Sequence, residues 1–169
     1  SFARSKSRFK AQPRVLILCE DSKSCLQYLQ NAAHHFRADA EVKIAHCGKT
    51  NPDGIVAEAI KQKHLFDHVY CAIDRDSHER FDEALALAAA NAEKVAVIAS
   101  YPCYEFWLLL HFKMTRKPYV GAGSNSSGDL ITSDLRKEEG MEKYAKGDTE
   151  NLFAKLILKL PHARVRAKE

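Results

Sequence analysis

Residues 15–21 are Val15-Leu16-Ile17-Leu18-Cys19-Glu20-Asp21, a continuous apolar run followed at once by two acids. A run that is apolar at every position is typical of a strand buried on both faces of a parallel sheet. Similar runs predict three more strands, at 42–47, 68–73 and 94–99. Segments with helical patterns follow each strand, and their lengths suit crossover helices. The order βαβαβαβα therefore predicts an α/β fold with a four-stranded parallel sheet flanked by helices.

The chain length of 169 residues suits a single domain with a buried core. Composition predicts four segments: a flexible basic arm at 1–13, an α/β core at 14–114, a Gly/Ser-rich loop at 115–129, and a helical C-terminal extension of the same domain at 130–169. Within the extension, polar helices are predicted at 130–144 and 149–160.

The net charge of +4 is unevenly distributed. Residues 1–14 carry five basic side chains and no acid, and residues 155–169 carry five basic side chains and one acid. The body between them has an excess of acids. This division fits a metal site flanked by basic tails that bind phosphate, and it equally fits tails that serve only to keep the protein solvated.

The five cysteines are odd in number and form no Cys-x-x-Cys motif, which predicts free, buried thiols in a reducing compartment. No apolar run approaches the roughly 20 residues that a membrane span requires. The N-terminus has no apolar segment of the kind found in secretory signals. We therefore expect a cytoplasmic protein without a membrane partner.

Carboxylates follow three of the four predicted strands. Glu20 follows the first, Asp74 and Asp76 follow the third, and Glu105 lies shortly after the fourth. In a parallel sheet these strand ends share one edge, where ligands bind in open α/β folds. Asp74 and Asp76 are two residues apart and project to the same side of an extended backbone. Glu20 comes within reach of them if the first and third strands are adjacent, since neighbouring strands lie about 4.8 Å apart.

Several carboxylates at one point repel one another unless a cation neutralises them. Hard oxygen ligands favour Mg²⁺ or Mn²⁺. The metal ligands predicted on this basis are Glu20, Asp74 and Asp76, and the basic residues near the same strand ends that we predict to contact nucleic acid are Lys23, Lys49 and Arg75. Simpler interpretations remain open for single residues: Asp76 as a helix cap, Glu20 as a surface acid, and Glu105 as an acid favoured by a helix dipole.

Four stretches of the sequence resemble the RloB-like family. Residues 16–24 are similar to its opening pattern, residues 72–76 contain its Asp-Arg-Asp stretch, and residues 144–146 match its later Tyr-x-Lys. The most specific match is Ser100-Tyr101-Pro102-Cys103-Tyr104-Glu105-Phe106-Trp107-Leu108-Leu109-Leu110-His111-Phe112. One departure concerns Asp21, which stands where the family has glycine and so bears on backbone flexibility beside Glu20.

The resemblance implies a Toprim-like (Rossmann-like) fold, related to that of the OLD-family nucleases. It implies a metal-dependent nuclease-like role in bacterial defence against phage or foreign DNA, with an AAA- or ABC-type ATPase as partner and DNA favoured over RNA as substrate. It implies Glu20 as general acid/base, Asp74 and Asp76 as metal ligands, and Glu105 as a further catalytic acid.

Two other functions compete with the nuclease. The first is a non-catalytic adaptor of Toprim fold that binds nucleic acid or an ATPase. The second is a receiver-like signalling domain. In such a domain Asp74 would accept a phosphoryl group, Ser100 would supply the switch hydroxyl, and Lys117 would be the lysine of the later Lys-Pro pair. The second aspartate of Asp-x-Asp has no role in a receiver, which favours the nuclease or the adaptor.

Overall fold

A four-stranded parallel sheet forms the centre of the molecule. The computed structural model describes residues 11–36, 40–75, 78–148 and 150–169. The strands are β1 (Arg14–Cys19), β2 (Glu41–His46), β3 (His68–Asp74) and β4 (Val95–Ser100), in the order β2-β1-β3-β4. All three pairings are parallel. The predicted α/β fold is confirmed, the first and third strands are adjacent, and every predicted strand end lies within one residue of the observed one.

Helices flank the sheet and continue beyond it. They are α1 (Ser24–Phe36), α2 (Pro52–Gln62), α3 (Phe81–Ala89), α4 (Tyr104–Leu110), α5 (Ser127–Leu135), α6 (Leu152–Leu156) and α7 (Leu160–Arg166). Short 3₁₀ turns follow α2 and α6.

The predicted helix at 130–144 is wrong at both ends. Helix α5 begins at Ser127, because Ser126 and Asp129 form a capping box in which each side chain accepts a hydrogen bond from the other residue's backbone N–H. It ends at Leu135, and the chain then turns through Gly140, whose φ of +80° does not belong to a right-handed helix. The predicted helix at 149–160 is likewise interrupted, into α6, a 3₁₀ turn and α7.

Two apolar cores hold the structure together. In the first, residues of β1, β3 and β4 that face one side of the sheet pack against α2 and α3; its fully buried members include Leu16, Leu18, Ile55 and Val69. The second core lies among α1, α4, α5 and α6. Because Tyr144 and Met141 belong to this second core, the chain between α5 and α6 is packed against α4, close to the carboxyl ends of the strands.

The basic residues of the C-terminal segment contact the protein itself. Arg166 donates from Nη1 to the carbonyl of Leu110 at 2.7 Å, and thereby ties α7 to the end of α4. The Lys159 ammonium lies 5.1 Å from the centroid of the Phe112 ring. These contacts favour a structural role for this end of the chain. Residues 1–10, most of the predicted basic arm, lie outside the described residues.

All five cysteines are free thiols, as predicted, and Cys19, Cys71 and Cys103 are buried. Burial raises the pKa of the Cys71 thiol to about 12, so it stays protonated and unreactive at neutral pH. Within the described residues no helix has both the length and the apolar character needed to cross a bilayer.

Candidate functional site

Glu20 and Asp74 meet where β1 and β3 end. The backbone N–H of Glu20 donates to the carbonyl of Ala72 at 3.0 Å, which extends the parallel ladder one residue beyond β1. The N–H of Asp74 in turn donates to Oε2 of Glu20 at 2.9 Å. The position of the Glu20 carboxylate is therefore fixed by the backbone of the neighbouring strand.

His78 holds the other oxygen of Glu20. Its Nε2 lies 2.9 Å from Oε1 of Glu20, and both side chains are mostly shielded from solvent. Sequence reasoning did not select His78, whose only signal was its position four residues after Asp74. Together the imidazole and the Asp74 amide orient the Glu20 carboxylate, and the imidazole gives it a neighbour that can exchange a proton.

The Asp74 carboxyl is mostly buried and lies near two other acids, Glu20 and Glu105. Burial raises its pKa to about 7, and the charges of Glu20 and Glu105 add to that rise. Hydrogen bonds from the Tyr104 N–H and the Ser100 hydroxyl act in the opposite direction but are outweighed. The carboxyl is thus only partly ionised at neutral pH, and a nearby cation would lower its pKa and restore the charge.

Glu105 lies in the first turn of α4 and is 5% exposed. Its Oε1 accepts a long hydrogen bond from the Tyr144 hydroxyl at 3.4 Å, and the Lys146 ammonium is 4.0 Å from the same oxygen. Buried acids of this kind are rare unless paired. The segment between α5 and α6 thus supplies the partners of an acid that α4 places beside Asp74.

Lys146 and Lys23 each lie against a glycine that lines the same cavity. A Cβ on Gly128 would lie 2.5 Å from Nζ of Lys146, and a Cβ on Gly147 would lie 2.9 Å from Cδ of Lys23. The N–H of Gly147 also donates to the Ser24 hydroxyl at 2.8 Å. The absence of side chains at both glycines therefore allows each lysine to lie close against the backbone.

These groups enclose a cavity of about 530 Å³ at the carboxyl edge of the sheet. Its charged lining consists of Glu20, Asp21, Asp74, Glu105, Lys23 and Lys146. From the sequence alone, Lys146 belonged to a Tyr-x-Lys motif but had no predicted role. Carboxylates are the usual ligands of divalent cations, and ammonium groups bind phosphate.

Asp21 caps helix α1. Its Oδ1 accepts from the Lys23 N–H at 2.6 Å and its Oδ2 from the Cys25 N–H at 2.9 Å. The carboxylate thereby takes up amides that would otherwise be unsatisfied at the start of the helix. These two hydrogen bonds therefore stiffen the turn that follows Glu20.

Two further predicted residues, Arg75 and Lys49, do not line this cavity. Arg75 lines a different cavity and binds Oδ1 of Asp82 at 2.6 Å. Lys49 is exposed in the turn after β2, and its neighbour Thr50 lines the acidic cavity. Asp76 lies outside the described residues.

The donor chemistry fits a hard divalent cation, because Glu20, Asp74 and Glu105 all offer carboxylate oxygens to one cavity. Across the described ranges, no group of three or more His, Cys, Asp or Glu side chains is close enough together to hold a metal ion. The described residues therefore do not by themselves form a metal-ligand cluster.

The chain was compared with known proteins. A family model described as RloB-like protein matches residues 15–169. No curated protein and no solved structure matches the chain.

Proposed function

The chain belongs to the RloB-like protein family, and we propose that it is a Mg²⁺- or Mn²⁺-dependent nuclease-like protein that cleaves phosphodiester bonds. One observation carries the proposal: Asp74 and Glu105 share a cavity with the ammonium groups of Lys23 and Lys146. Carboxylates supply oxygen ligands for a divalent cation, and ammonium groups supply charge for the phosphate.

In this proposal each residue has a defined task. Asp74 and Glu105, with Asp76, provide ligands for the cation, which when bound neutralises the scissile phosphate and lowers the pKa of the attacking water. Glu20, oriented by His78 and the Asp74 amide, takes or gives the proton as general acid/base. Lys146 and Lys23 contact non-bridging phosphate oxygens and balance the charge that develops there.

We assign the sheet and its acidic edge to the Toprim superfamily, with a relation to the OLD-family nucleases. The parallel order β2-β1-β3-β4 and the acids that follow β1 and β3 support this assignment. We propose a role in bacterial defence against phage or foreign DNA, in the cytoplasm, with an AAA- or ABC-type ATPase as partner and DNA as the favoured substrate.

A non-catalytic adaptor is the second candidate. It is favoured by the finding that both oxygens of Glu20 already have protein partners. A receiver-like domain has less support, because Nζ of Lys117 is bound to Asp134 at 2.7 Å, whereas a receiver requires it beside the phosphoacceptor.

Cleavage of labelled DNA and RNA in Mg²⁺ or Mn²⁺, with and without a candidate ATPase, tests the proposal. Glu20→Gln keeps the size of the side chain and removes its ability to exchange a proton, so the rate should fall about 10²- to 10⁴-fold. Glu139→Gln is the matched control, because Glu139 is exposed and does not line the cavity. Wild-type turnover in Glu20→Gln would exclude this role for Glu20, and nucleic-acid binding without cleavage under all conditions would favour the adaptor.

A further inference from the structure

A second cavity, of about 590 Å³, lies beside the acidic one and has the opposite charge. Three cationic side chains line it, and none of its lining residues in the described part of the chain is acidic. The cations are Arg75, Arg116 and Lys117. The end of β3 separates the two cavities, because Asp74 lines the acidic one and the next residue, Arg75, lines the basic one. A nucleic-acid strand held at the acidic edge would therefore continue into the basic cavity.

Tyr101 is an exposed aromatic side chain in this basic cavity. It follows β4 directly, and 70% of its surface is accessible to solvent. The Arg75 guanidinium lies 5.8 Å from the Tyr101 ring centroid and 5.1 Å from that of Phe81. Because Arg75 is also bound to Asp82, it supports the Tyr101 ring from a fixed position. A large aromatic ring that is supported on one side and open to solvent is suited to stacking.

Arg116 is the cation of this cavity that remains free to bind a ligand. It makes no hydrogen bond or ion pair with any residue that the structure describes, whereas Lys117 is bound to Asp134 and Arg75 to Asp82. An unpaired guanidinium that lines the same cavity as an exposed ring matches the two groups of a nucleotide, its phosphate and its base.

We propose that the basic cavity binds single-stranded nucleic acid, with one base stacked on Tyr101 and a phosphate on Arg116. A base can stack on a side chain only when it has left the duplex, so the cavity selects single-stranded or locally opened substrates. The proposal deepens the nuclease function and rests on it for the identity of the ligand, but the binding itself requires neither cleavage nor a metal ion.

Binding is measured by fluorescence anisotropy in EDTA, with labelled single-stranded DNA, single-stranded RNA and duplex DNA of equal length. Wild-type protein should bind the single strands more tightly than the duplex. Tyr101→Ala should weaken single-strand binding roughly 5- to 150-fold, the range expected for loss of one stacked base. Tyr101→Phe keeps the ring and should retain wild-type affinity. Leu158→Ala, at a position 88% exposed and remote from the cavity lining, is the control.

A salt titration tests the phosphate contact separately. Arg116→Ala should reduce the slope of log affinity against log salt by about 0.7, the value for one phosphate contact on a single strand. Arg116→Lys should retain the slope. Tyr101 and Arg116 are both exposed, so unchanged thermal unfolding of the variants will show that the fold is intact.

The possible outcomes separate this inference from the nuclease function. Three outcomes would each overturn the assignment of the cavity and leave the proposed nuclease function untouched. They are an unchanged single-strand affinity in Tyr101→Ala, an unchanged salt slope in Arg116→Ala, and wild-type protein that binds duplex as tightly as single strands. Stacking-dependent binding without any cleavage would support the cavity and count against the nuclease.

Discussion

At the scale of single residues, the site is defined by three carboxylates that converge from different elements. Asp74 is placed by the end of β3, Glu20 by the ladder beyond β1, and Glu105 by the first turn of α4. The raised pKa of Asp74 expresses the cost of this convergence, because burial and two neighbouring acids all oppose its ionised form.

This cost makes the stability of the metal-free protein depend on pH. The Asp74 pKa rises from 3.8 in the unfolded chain to about 7 in the folded one, so the folded state binds the proton more tightly. The contribution of Asp74 to the free energy of unfolding is therefore full below about pH 4 and is lost as the pH rises through 7. Asp74→Asn removes this loss and should be more stable than wild type at pH 8 in EDTA, by on the order of a few kcal/mol.

Urea unfolding at pH 4 and pH 8 measures this difference. The two proteins should differ little at pH 4 and diverge at pH 8. Glu139→Gln, which removes a surface charge of the same sign, controls for net charge. A less stable Asp74→Asn at pH 8 would contradict the repulsion.

The position of Lys146 depends on the absence of a side chain at Gly128. A Cβ there would approach Nζ to 2.5 Å, so Gly128→Ala should shift the ammonium at the end of the flexible lysine side chain. Lys146→Met keeps the aliphatic chain and removes the charge. Lys146→Met should lose phosphate affinity about 10- to 150-fold, as expected for loss of a charged hydrogen bond, and Gly128→Ala should lose less, because the charge remains. Binding of a non-cleavable oligonucleotide is the measurement, with Ser133→Ala on the exposed side of α5 as control; a wild-type affinity in Lys146→Met would show that Lys146 does not bind the substrate.

At the scale of elements, the first turn of α1 is stabilised by the Asp21 carboxylate. Asp21→Ala removes two hydrogen bonds to backbone amides and should lower the free energy of unfolding by about 0.5–2 kcal/mol. Asp21→Asn keeps one oxygen acceptor, and so one of the two hydrogen bonds, and should lose about half as much. Urea unfolding at neutral pH compares the two, and equal losses would assign the effect of Asp21 to its charge.

The central strands were predictable from the sequence because a strand in the middle of a parallel sheet is apolar along most of its length. Runs such as 15–19 therefore mark their own ends. The helices of the C-terminal half were less predictable, since a cap at Ser126 and a left-handed turn at Gly140 decide their ends more than periodicity does.

The same distinction applies to the site. Glu20 and Asp74 could be placed together because the ends of adjacent parallel strands meet at one edge. His78 and Lys146 could not, since both lie in loops and not at the end of a strand, and no periodic pattern links either residue to its partner. Contacts of this kind depend on the path of the loops, which the local sequence does not determine.

At the scale of the whole molecule, the C-terminal segment completes the site that the sheet begins. Helices α5 and α6 join α1 and α4 in the second core, and the chain between them carries Tyr144 and Lys146 to Glu105. Two cavities of opposite charge then lie side by side at the carboxyl edge of the sheet. Under the two proposals made above, this arrangement would separate the place of a cation from the place of the bases of a strand.

Binding of a divalent cation should stabilise the whole fold through this edge. A cation that binds only the folded state raises the free energy of unfolding by about 2.7 kcal/mol at a hundred times its Kd. Mn²⁺ or Mg²⁺ should therefore raise the Tm of wild-type protein at pH 8, where Asp74 is mostly ionised. In Asp74→Asn and Glu105→Gln the metal-induced rise in Tm should be smaller, because each variant lacks one carboxylate ligand. Without metal, Asp74→Asn should have a higher Tm than wild type. Thermal unfolding across a Mn²⁺ titration, with Glu139→Gln as control, separates the two effects: the metal-free Tm reports the cost of ionised Asp74, and the Mn²⁺ concentration at which the Tm begins to rise reports the affinity. An equal rise in wild type and both variants would place the cation elsewhere on the protein.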